Sequence, residues 1–216
     1  MTPSGTTKGR FITLEGGEGA GKSTQVEQLC EALRDRGLEV VATREPGGSD
    51  GAEAIRALLV TGDTARWDPL TEALLHFAAR RDHYTRTIAP TLARGAWVVC
   101  DRFADSTMAY QGYGLDVDRE VLSQLYKTVL GDFAPDLTIV LDLPVDVGLG
   151  RANRRGGDDR YEHMDTEFHQ RLRDGFLEIA ANEPKRCAVV EAEADIATVA
   201  AAVLALVIGR LDSDNG

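Results

Sequence analysis

One segment near the amino terminus constrains this chain more than any other. An apolar run over residues 11–14 leads directly into a glycine-rich stretch that ends in Gly21-Lys22-Ser23. The spacing Gly-x-x-x-x-Gly-Lys-Ser, between a strand and a helix, is that of a phosphate-binding P-loop. Its backbone N–H groups surround phosphate oxygens, its lysine reaches the β- and γ-phosphates, and its serine hydroxyl binds Mg²⁺. The residues predicted to bind the nucleotide are Gly16, Gly17, Glu18, Gly19, Ala20, Gly21, Lys22, Ser23 and Thr24.

The rest of the chain alternates between short apolar runs and segments of helical period, which predicts a parallel sheet covered by helices. Strands are predicted at 11–14, 39–43, 97–101, 137–142 and 187–190. Helices are predicted at 23–36, 52–60, 69–94 with an interruption or bend near Pro90, 118–131, 145–152, 165–181 and 195–211. This is the α/β fold class, a three-layer P-loop NTPase sandwich with five parallel strands. In such sheets ligands bind at the carboxyl ends of the strands.

Length and charge narrow the classes of protein that this chain can belong to. The 216 residues suit a single domain over 1–216, with disordered ends at about 1–8 and 212–216. A net charge of −11 argues against a nucleic-acid-binding surface. The longest apolar run, 200–208, is too short for a membrane span, and no signal peptide is recognisable. Three widely spaced cysteines are expected as buried thiols, so we expect a cytoplasmic protein.

A polar, glycine-containing stretch follows the helix predicted at 145–152. Its arginines are Arg151, Arg154, Arg155 and Arg160. Most charged stretches of this kind are solvated surface loops. In a P-loop protein, a stretch that follows a strand–helix unit also suits a flexible lid that closes over phosphates, here at about 151–162.

A P-loop alone does not separate kinases from switches or motors. A GTPase requires an Asn-Lys-x-Asp segment, which this sequence lacks, and a large motor requires a longer chain. A small kinase requires cations around the transferring phosphoryl group and a second site for the acceptor. Arg102, directly after the strand-terminal Asp101, and the arginines of the lid stretch suit that role.

The sequence resembles the thymidylate kinase family over nearly its whole length. The segments that carry the resemblance are 14–24, Thr43-Arg-Glu-Pro-Gly-Gly48, Ala78-Ala-Arg80, Asp101-Arg-Phe103, Ser106-Thr-Met-Ala-Tyr-Gln-Gly112, 135–142 and Asp159-Arg-Tyr-Glu162. The resemblance implies Mg²⁺-dependent transfer of the γ-phosphoryl group of ATP to dTMP, in a homodimer.

The resemblance also implies roles for individual residues. Glu18 approaches the sugar and the metal-bound waters, while Arg56 and Arg102 hold the dTMP phosphate. Arg80 bonds the thymine edge, and Tyr110 lies beside the sugar. The implied substrate-binding residues are Glu18, Pro46, Arg56, His76, Phe77, Arg80, Arg102, Ser106, Thr107, Tyr110 and Gln111. The implied catalytic residues are Lys22, Glu18, Arg102, Arg155 and Arg160, and the implied metal ligands are Ser23, Asp101 and Glu162.

One position departs from the family pattern. The family places a phenylalanine four residues before the base-binding arginine, where this chain has His76, with Phe77 next to it. One residue turns a helical side chain by about 100°. Either ring is therefore a candidate to stack on the base, and His76 is our assignment. Other small nucleotide or deoxynucleoside kinases, and a regulatory ATP-binding protein, remain the alternative functions.

Overall fold

The structure, a computed structural model, describes residues 8–63, 65–156 and 160–211. The expectations for residues 1–7 and 212–216 lie outside the described part. Five strands form one parallel sheet in the order β2-β3-β1-β4-β5. They are β1 Phe11–Glu15, β2 Val40–Arg44, β3 Trp97–Asp101, β4 Leu137–Asp142 and β5 Cys187–Glu191. The predicted fold class is confirmed, and each strand matches its predicted position to within one residue at either end.

Helices cover both faces of this sheet. They are α1 Lys22–Arg34, α2 Asp50–Val60, α3 Pro69–His83, α4 Ala89–Ala93, α5 Ala104–Thr107, α6 Arg119–Leu130, α7 Val145–Arg155, α8 Thr166–Asn182 and α9 Ile196–Leu211. Two π-helical segments, Tyr84–Ile88 and Met108–Gly114, continue α3 and α5, and a 3₁₀ turn spans Arg160–His163. Within the described ranges, no helix is long and apolar enough to cross a membrane.

The two faces of the sheet contribute to different parts of the core. Side chains alternate along a strand, so Ile12 and Leu14 pack with α1 and α9 on one face. Phe11 faces the other side and packs with Phe103 and other aromatic residues. The three cysteines are buried free thiols, as predicted. The central strand β1 is therefore fixed on both faces, and the loop that follows it starts from a rigid support.

The structure confirms one helical prediction and corrects another. The helix predicted over 69–94 is interrupted near Pro90, as expected: it forms three segments, because Pro90 has no N–H to donate and the chain passes through a π-helical turn before α4. The helix predicted to end at Ala152 continues to Arg155 and ends at Gly156, which adopts φ 73°. The prediction that Asn153 and its neighbours leave the helix is wrong: they extend α7 by about one turn.

The carboxyl ends of the strands lie side by side. Leu14 on β1 and Arg44 on β2 both pair with Asp101 on β3. The loops after these strands therefore emerge at one edge of the sheet, and this edge holds the site described next.

Candidate active site

The P-loop connects β1 to α1 in a conformation that needs glycine. Gly19 adopts φ 69°, and a Cβ there would overlap the carbonyl oxygen of Gly148 in α7. Gly21, at φ 86°, directly precedes the first residue of α1. The loop N–H groups thus lead into the positive end of a 13-residue helix, an arrangement that favours bound phosphate.

Lys22 is held inside this loop. Its Nζ donates to the carbonyl oxygens of Gly16, at 3.1 Å, and Gly17, at 2.7 Å, and the residue is only 7% exposed. Burial, together with the nearby Arg102, lowers the pKa of Lys22 to about 8 against the opposing effect of Glu18. The ammonium group is therefore a weakly solvated cation that a phosphate can attract strongly.

Ser23 and Asp101, two of the metal ligands predicted from the sequence, lie next to each other. The Ser23 hydroxyl donates to Oδ2 of Asp101 at 2.6 Å, across the space between α1 and the end of β3. A hydroxyl and a carboxylate beside a phosphate loop suit Mg²⁺, which prefers oxygen ligands and keeps several waters and phosphate oxygens in its shell. The residues present fit a magnesium ion that is completed by nucleotide and water.

A compact charge cluster joins the P-loop to the segment after β3. Arg102 donates to Oε1 of Glu18 at 2.9 Å and to the carbonyl oxygen of Gly16 at 3.0 Å. The Tyr110 hydroxyl donates to the same carboxylate oxygen at 2.5 Å. Burial alone would raise the pKa of Glu18, but Arg102, Lys22 and Tyr110 outweigh it and lower the pKa to about 2. Glu18 is thus an anion that holds the guanidinium of Arg102 and the phenol of Tyr110 at the wall of the cavity.

A second acid, Glu15, supports this cluster from below. It is fully buried at the end of β1 and accepts hydrogen bonds from the Phe103 N–H at 2.7 Å and the Ser106 hydroxyl at 2.5 Å. Burial and the neighbouring Asp105 raise the pKa of Glu15 to about 7. Its contacts fix the start of α5, and so they fix the position of Arg102 immediately before it.

Arg80, the arginine predicted to bind the base, also lines the cavity and is 2% exposed, although a helical arginine would ordinarily lie on the surface. Its Nε donates to Glu45 at 2.7 Å, and its Nη2 donates to the Phe103 carbonyl and the Thr107 hydroxyl, both at 3.0 Å. Its Nη1 and the Oε1 of Gln111 have no partner among the described residues. Both residues line the cavity, so one donor and one acceptor remain for a ligand there.

The two candidate stacking rings lie in different places. His76 lines the cavity, and its Nε2 lies 3.2 Å from the hydroxyl of Tyr161. Burial and the nearby Arg80 lower the pKa of His76 to about 3, so its ring is neutral at physiological pH. Phe77 is 3% exposed, packs against Leu122, and does not line the cavity. The geometry favours His76 over Phe77 as the ring that faces a base.

Arg56 donates to the carbonyl oxygen of Pro46 at 2.7 Å. Both residues line the cavity. Arg44, at the end of β2, lines the same wall and pairs with Glu53 at 3.1 Å. Two guanidinium groups thus lie along the wall of the cavity that follows β2.

The lid arginines separate into two kinds. Arg155, at the end of α7, lines the cavity with a 61% exposed side chain and pairs with Glu162 at 2.7 Å. Arg160 is 3% exposed, donates to the Leu59 carbonyl oxygen at 2.5 Å and pairs with Glu72. Of the two lid arginines that were predicted to be catalytic, Arg155 lines the cavity and Arg160 does not.

Glu162 also differs from its predicted role, because its carboxylate pairs with Arg155 and it does not line the cavity with Ser23 and Asp101. The part of the lid at 157–159, including Asp159 of the Asp-Arg-Tyr-Glu segment, lies outside the described residues.

These groups surround a cavity of about 410 Å³. The predicted residues that line it are Glu18, Gly19, Gly21, Lys22, Ser23, Thr24, Pro46, Arg56, His76, Arg80, Asp101, Arg102, Ser106, Thr107, Tyr110, Gln111 and Arg155. Gly16, Gly17, Ala20, Phe77, Arg160 and Glu162 are not among its lining residues. Sequence reasoning missed Glu15 and Glu45, although each lies at or just after the end of a strand, and it missed the buried Glu72.

Comparison with known proteins points to one family. The protein-family model for thymidylate kinase matches residues 14–203. A thymidylate kinase of Caulobacter vibrioides is 57% identical over 205 residues, covering 95% of this chain and 99% of its own length. One of Nitrobacter hamburgensis is 51% identical, covering 96% and 91%.

Structural comparison agrees with the sequence comparison. The crystal structure of thymidylate kinase from Ehrlichia chaffeensis superposes with a TM-score of 0.75 at 38% identity, covering 92% of this chain and 98% of that one. Both the sequence and the fold thus match one family over almost the full length of the described residues. The chain belongs to the thymidylate kinase family.

Proposed function

We propose that this protein transfers the γ-phosphoryl group of ATP to dTMP, giving ADP and dTDP for dTTP biosynthesis. The observation that carries the proposal is one cavity lined both by the P-loop and by a donor–acceptor pair, Arg80 Nη1 and Gln111 Oε1, that has no partner among the described residues. These two sets of groups suit the two nucleotides of this reaction.

The residues act mainly by position and charge. The acceptor is a phosphate anion at neutral pH, so no general base is required, and in-line transfer depends on alignment and neutralisation. Lys22 and the P-loop N–H groups hold the donor phosphates. Arg56 and Arg102 hold the acceptor phosphate, and Arg155 approaches the phosphoryl group between them. Ser23 and Asp101 would hold Mg²⁺, which would supply positive charge at the phosphate oxygens.

The base end suits thymine by hydrogen-bond polarity. Thymine presents a carbonyl acceptor beside a ring N–H donor, which match the free Nη1 of Arg80 and the free Oε1 of Gln111. Cytosine presents the reverse pair, an amino donor beside a bare ring nitrogen. When the wrong base is bound, a site with one fixed donor and one fixed acceptor is left with unpaired polar groups. The free-energy cost of these unpaired groups is larger than that of a poor steric fit. The neutral ring of His76 supplies a stacking surface.

Other small P-loop kinases use the same phosphate chemistry, and a regulatory ATP-binding protein would bind without turnover. A coupled assay for ADP, run with dTMP, dUMP, dCMP, AMP and thymidine as acceptors, separates these functions. We expect turnover with dTMP and weaker turnover with dUMP. Turnover that is highest with AMP or thymidine, or ATP binding with no acceptor-dependent ADP, would contradict the proposal.

We also propose that the protein is a cytoplasmic homodimer, as family membership suggests. Support comes from exposed apolar side chains on two packed helices, α3 and α6: Leu70 is 43% exposed, Leu74 is 48% exposed and Val121 is 36% exposed. Exposed apolar residues grouped on neighbouring helices are typical of a protein–protein contact.

A further inference from the structure

We propose that Glu72 is a positioning residue that fixes the hydrogen-bond polarity of the base end of the cavity through Gln111, and the tautomer of the His76 ring through Tyr161. The proposal rests on the proposed function and deepens it, because it names the group that makes the site select a thymine-type base. Glu72 lies on α3 and is 1% exposed.

The carboxylate of Glu72 is the centre of a buried network. Its Oε1 accepts from Nε2 of Gln111 and from the Tyr161 hydroxyl, each at 2.7 Å. Its Oε2 accepts from Arg160, which pairs with it as the counter-charge. A carboxylate that is paired in this way can only accept hydrogen bonds. Each neighbour must therefore present a donor to it.

For Gln111 this requirement decides which way the amide faces. The NH₂ group must point to Glu72, because the amide oxygen would place two acceptors in contact at 2.7 Å. The Oε1 atom is left without a partner among the described residues, and Gln111 lines the cavity. The side chain therefore offers the base an acceptor, not a donor.

For His76 the same requirement acts through Tyr161. The phenol proton is given to Glu72, so the Tyr161 oxygen acts only as an acceptor toward its other neighbours. It accepts from Arg160 Nη2 at 3.1 Å and more weakly from Gln111 Nε2 at 3.5 Å. The Nε2 of His76, 3.2 Å away, must therefore also face it as a donor. The proton of the neutral imidazole then sits on Nε2, and Nδ1 is bare. One carboxylate thus orients both the group at the base edge and the ring at the base face.

The isosteric variant Glu72→Gln tests this role. An amide at position 72 can donate to Gln111, so the Gln111 side chain is free to turn over and offer NH₂ to the base. We expect the ratio of kcat/KM for dTMP to that for dCMP to fall about tenfold or more, because Gln111 would then present a donor to the base where it had presented an acceptor. A merely structural loss would lower both values together and leave the ratio unchanged.

Two further variants control for charge and for folding. Glu72→Gln with Arg160→Met removes both partners of the buried ion pair, so no lone charge remains, and the same fall in the ratio is expected. Tyr161→Phe keeps the contact between Glu72 and Gln111 and should leave the ratio unchanged. If both Glu72 variants fold and keep the wild-type ratio, while the wild type selects dTMP, the proposed role of Glu72 is overturned and the proposed function still stands. A wild type that prefers another acceptor class would overturn the proposed function.

One measurement needs no variant. Nitrogen chemical shifts of selectively labelled histidine in the wild-type protein report the tautomer of each ring. The proposal requires His76 to carry its proton on Nε2. A proton on Nδ1 would overturn the connection from Glu72 to His76 through Tyr161.

Discussion

Among the single residues of the site, Arg102 has a backbone conformation that residues with a Cβ seldom adopt. Arg102 adopts φ 68°, one of two non-glycine residues in the described chain with a positive φ. A left-handed residue with a Cβ costs roughly 1–2 kcal/mol, and such strain persists where the surroundings fix it. Here Glu15 fixes the next residue, Phe103, and Glu18 accepts from the guanidinium, so the strained backbone places Arg102 beside the P-loop.

The Glu18–Arg102 pair predicts a pH dependence of stability. A carboxyl with a pKa lowered from 4.5 to about 2 stabilises the fold above pH 4.5, and this contribution is lost as the pH falls through 2. The full term is of the order of 3 kcal/mol, and roughly 1 kcal/mol of it is lost by pH 3.5. We expect the difference in unfolding free energy between wild type and Glu18→Gln to shrink by that amount between pH 6 and 3.5 in urea titrations. A difference that is constant with pH would show that Glu18 is not held as an anion.

Lys22 predicts proton uptake on binding ATP. Its pKa of about 8 in the free protein should rise when phosphate oxygens surround it, since an opposite charge favours the protonated form. At pH 8.5 most free protein has lost this proton and must regain it. Calorimetry in buffers of different ionisation enthalpy should detect uptake of a substantial fraction of a proton at pH 8.5 and much less at pH 7.

Lys22→Ala is the control for that measurement. It should show no such uptake and should lose about 10²–10³ in turnover, as when a charge-stabilising group is removed from an active site. Equal proton uptake by the variant would assign the proton to another group.

At the scale of elements, the sheet was predictable and the segments that carry the base site were less so. Strands such as Trp97–Asp101 are apolar, contain β-branched residues and end at polar positions, so composition and length define them. Met108–Gly114 is π-helical, and no 3.6-residue pattern identifies such a segment. It brings Tyr110 and Gln111 to the cavity, and a Cβ at Gly114 would meet the ring of Phe168 at 2.5 Å. The family motif named these residues, but only packing shows why they face inward.

The lid region was harder to predict from the sequence. The motif treats Arg155 and Arg160 alike, but Arg155 is exposed and Arg160 is buried. A run of charges indicates a solvated loop, yet Arg160 is taken into the core by an acid 88 positions earlier in the chain, Glu72. Sequence distance hides such a pairing, since nothing local marks either residue as buried.

This difference predicts opposite results for two alanine variants. Arg155→Ala removes a largely exposed side chain, so we expect kcat to fall about 10-fold or more, with the melting temperature nearly unchanged. Arg160→Ala leaves Glu72 buried without its counter-charge, so we expect a loss of about 3–5 kcal/mol of stability. Thermal unfolding and steady-state kinetics on both variants check this. If the Arg160→Ala protein is as stable as the wild type and loses only kcat, Arg160 acts in phosphoryl transfer and this prediction is wrong.

At the scale of the whole molecule, three strands and their loops bring distant segments to one cavity. Leu14, Arg44 and Asp101 are aligned by the register of the sheet, although 87 positions separate the first from the last. Parallel strands require long crossover connections, so the site can form only after these are complete. The alternation of strands and helices was enough to predict this convergence, because topology and not side-chain detail determines it.

Exposed apolar side chains on the outer surface of the molecule bear on its oligomeric state. Leu70 and Leu74 lie one turn apart on α3 and are both largely exposed, which suits a contact with a second copy of the chain. The double variant Leu70→Glu with Leu74→Glu would bury four like charges in a symmetric interface, so we expect a monomer by light scattering at micromolar concentration. Val189→Glu is the matched control, because Val189 is 47% exposed on the edge strand β5, away from α3, and this variant should remain a dimer. A wild-type monomer, or a double variant that is still dimeric, would place the contact elsewhere or remove it.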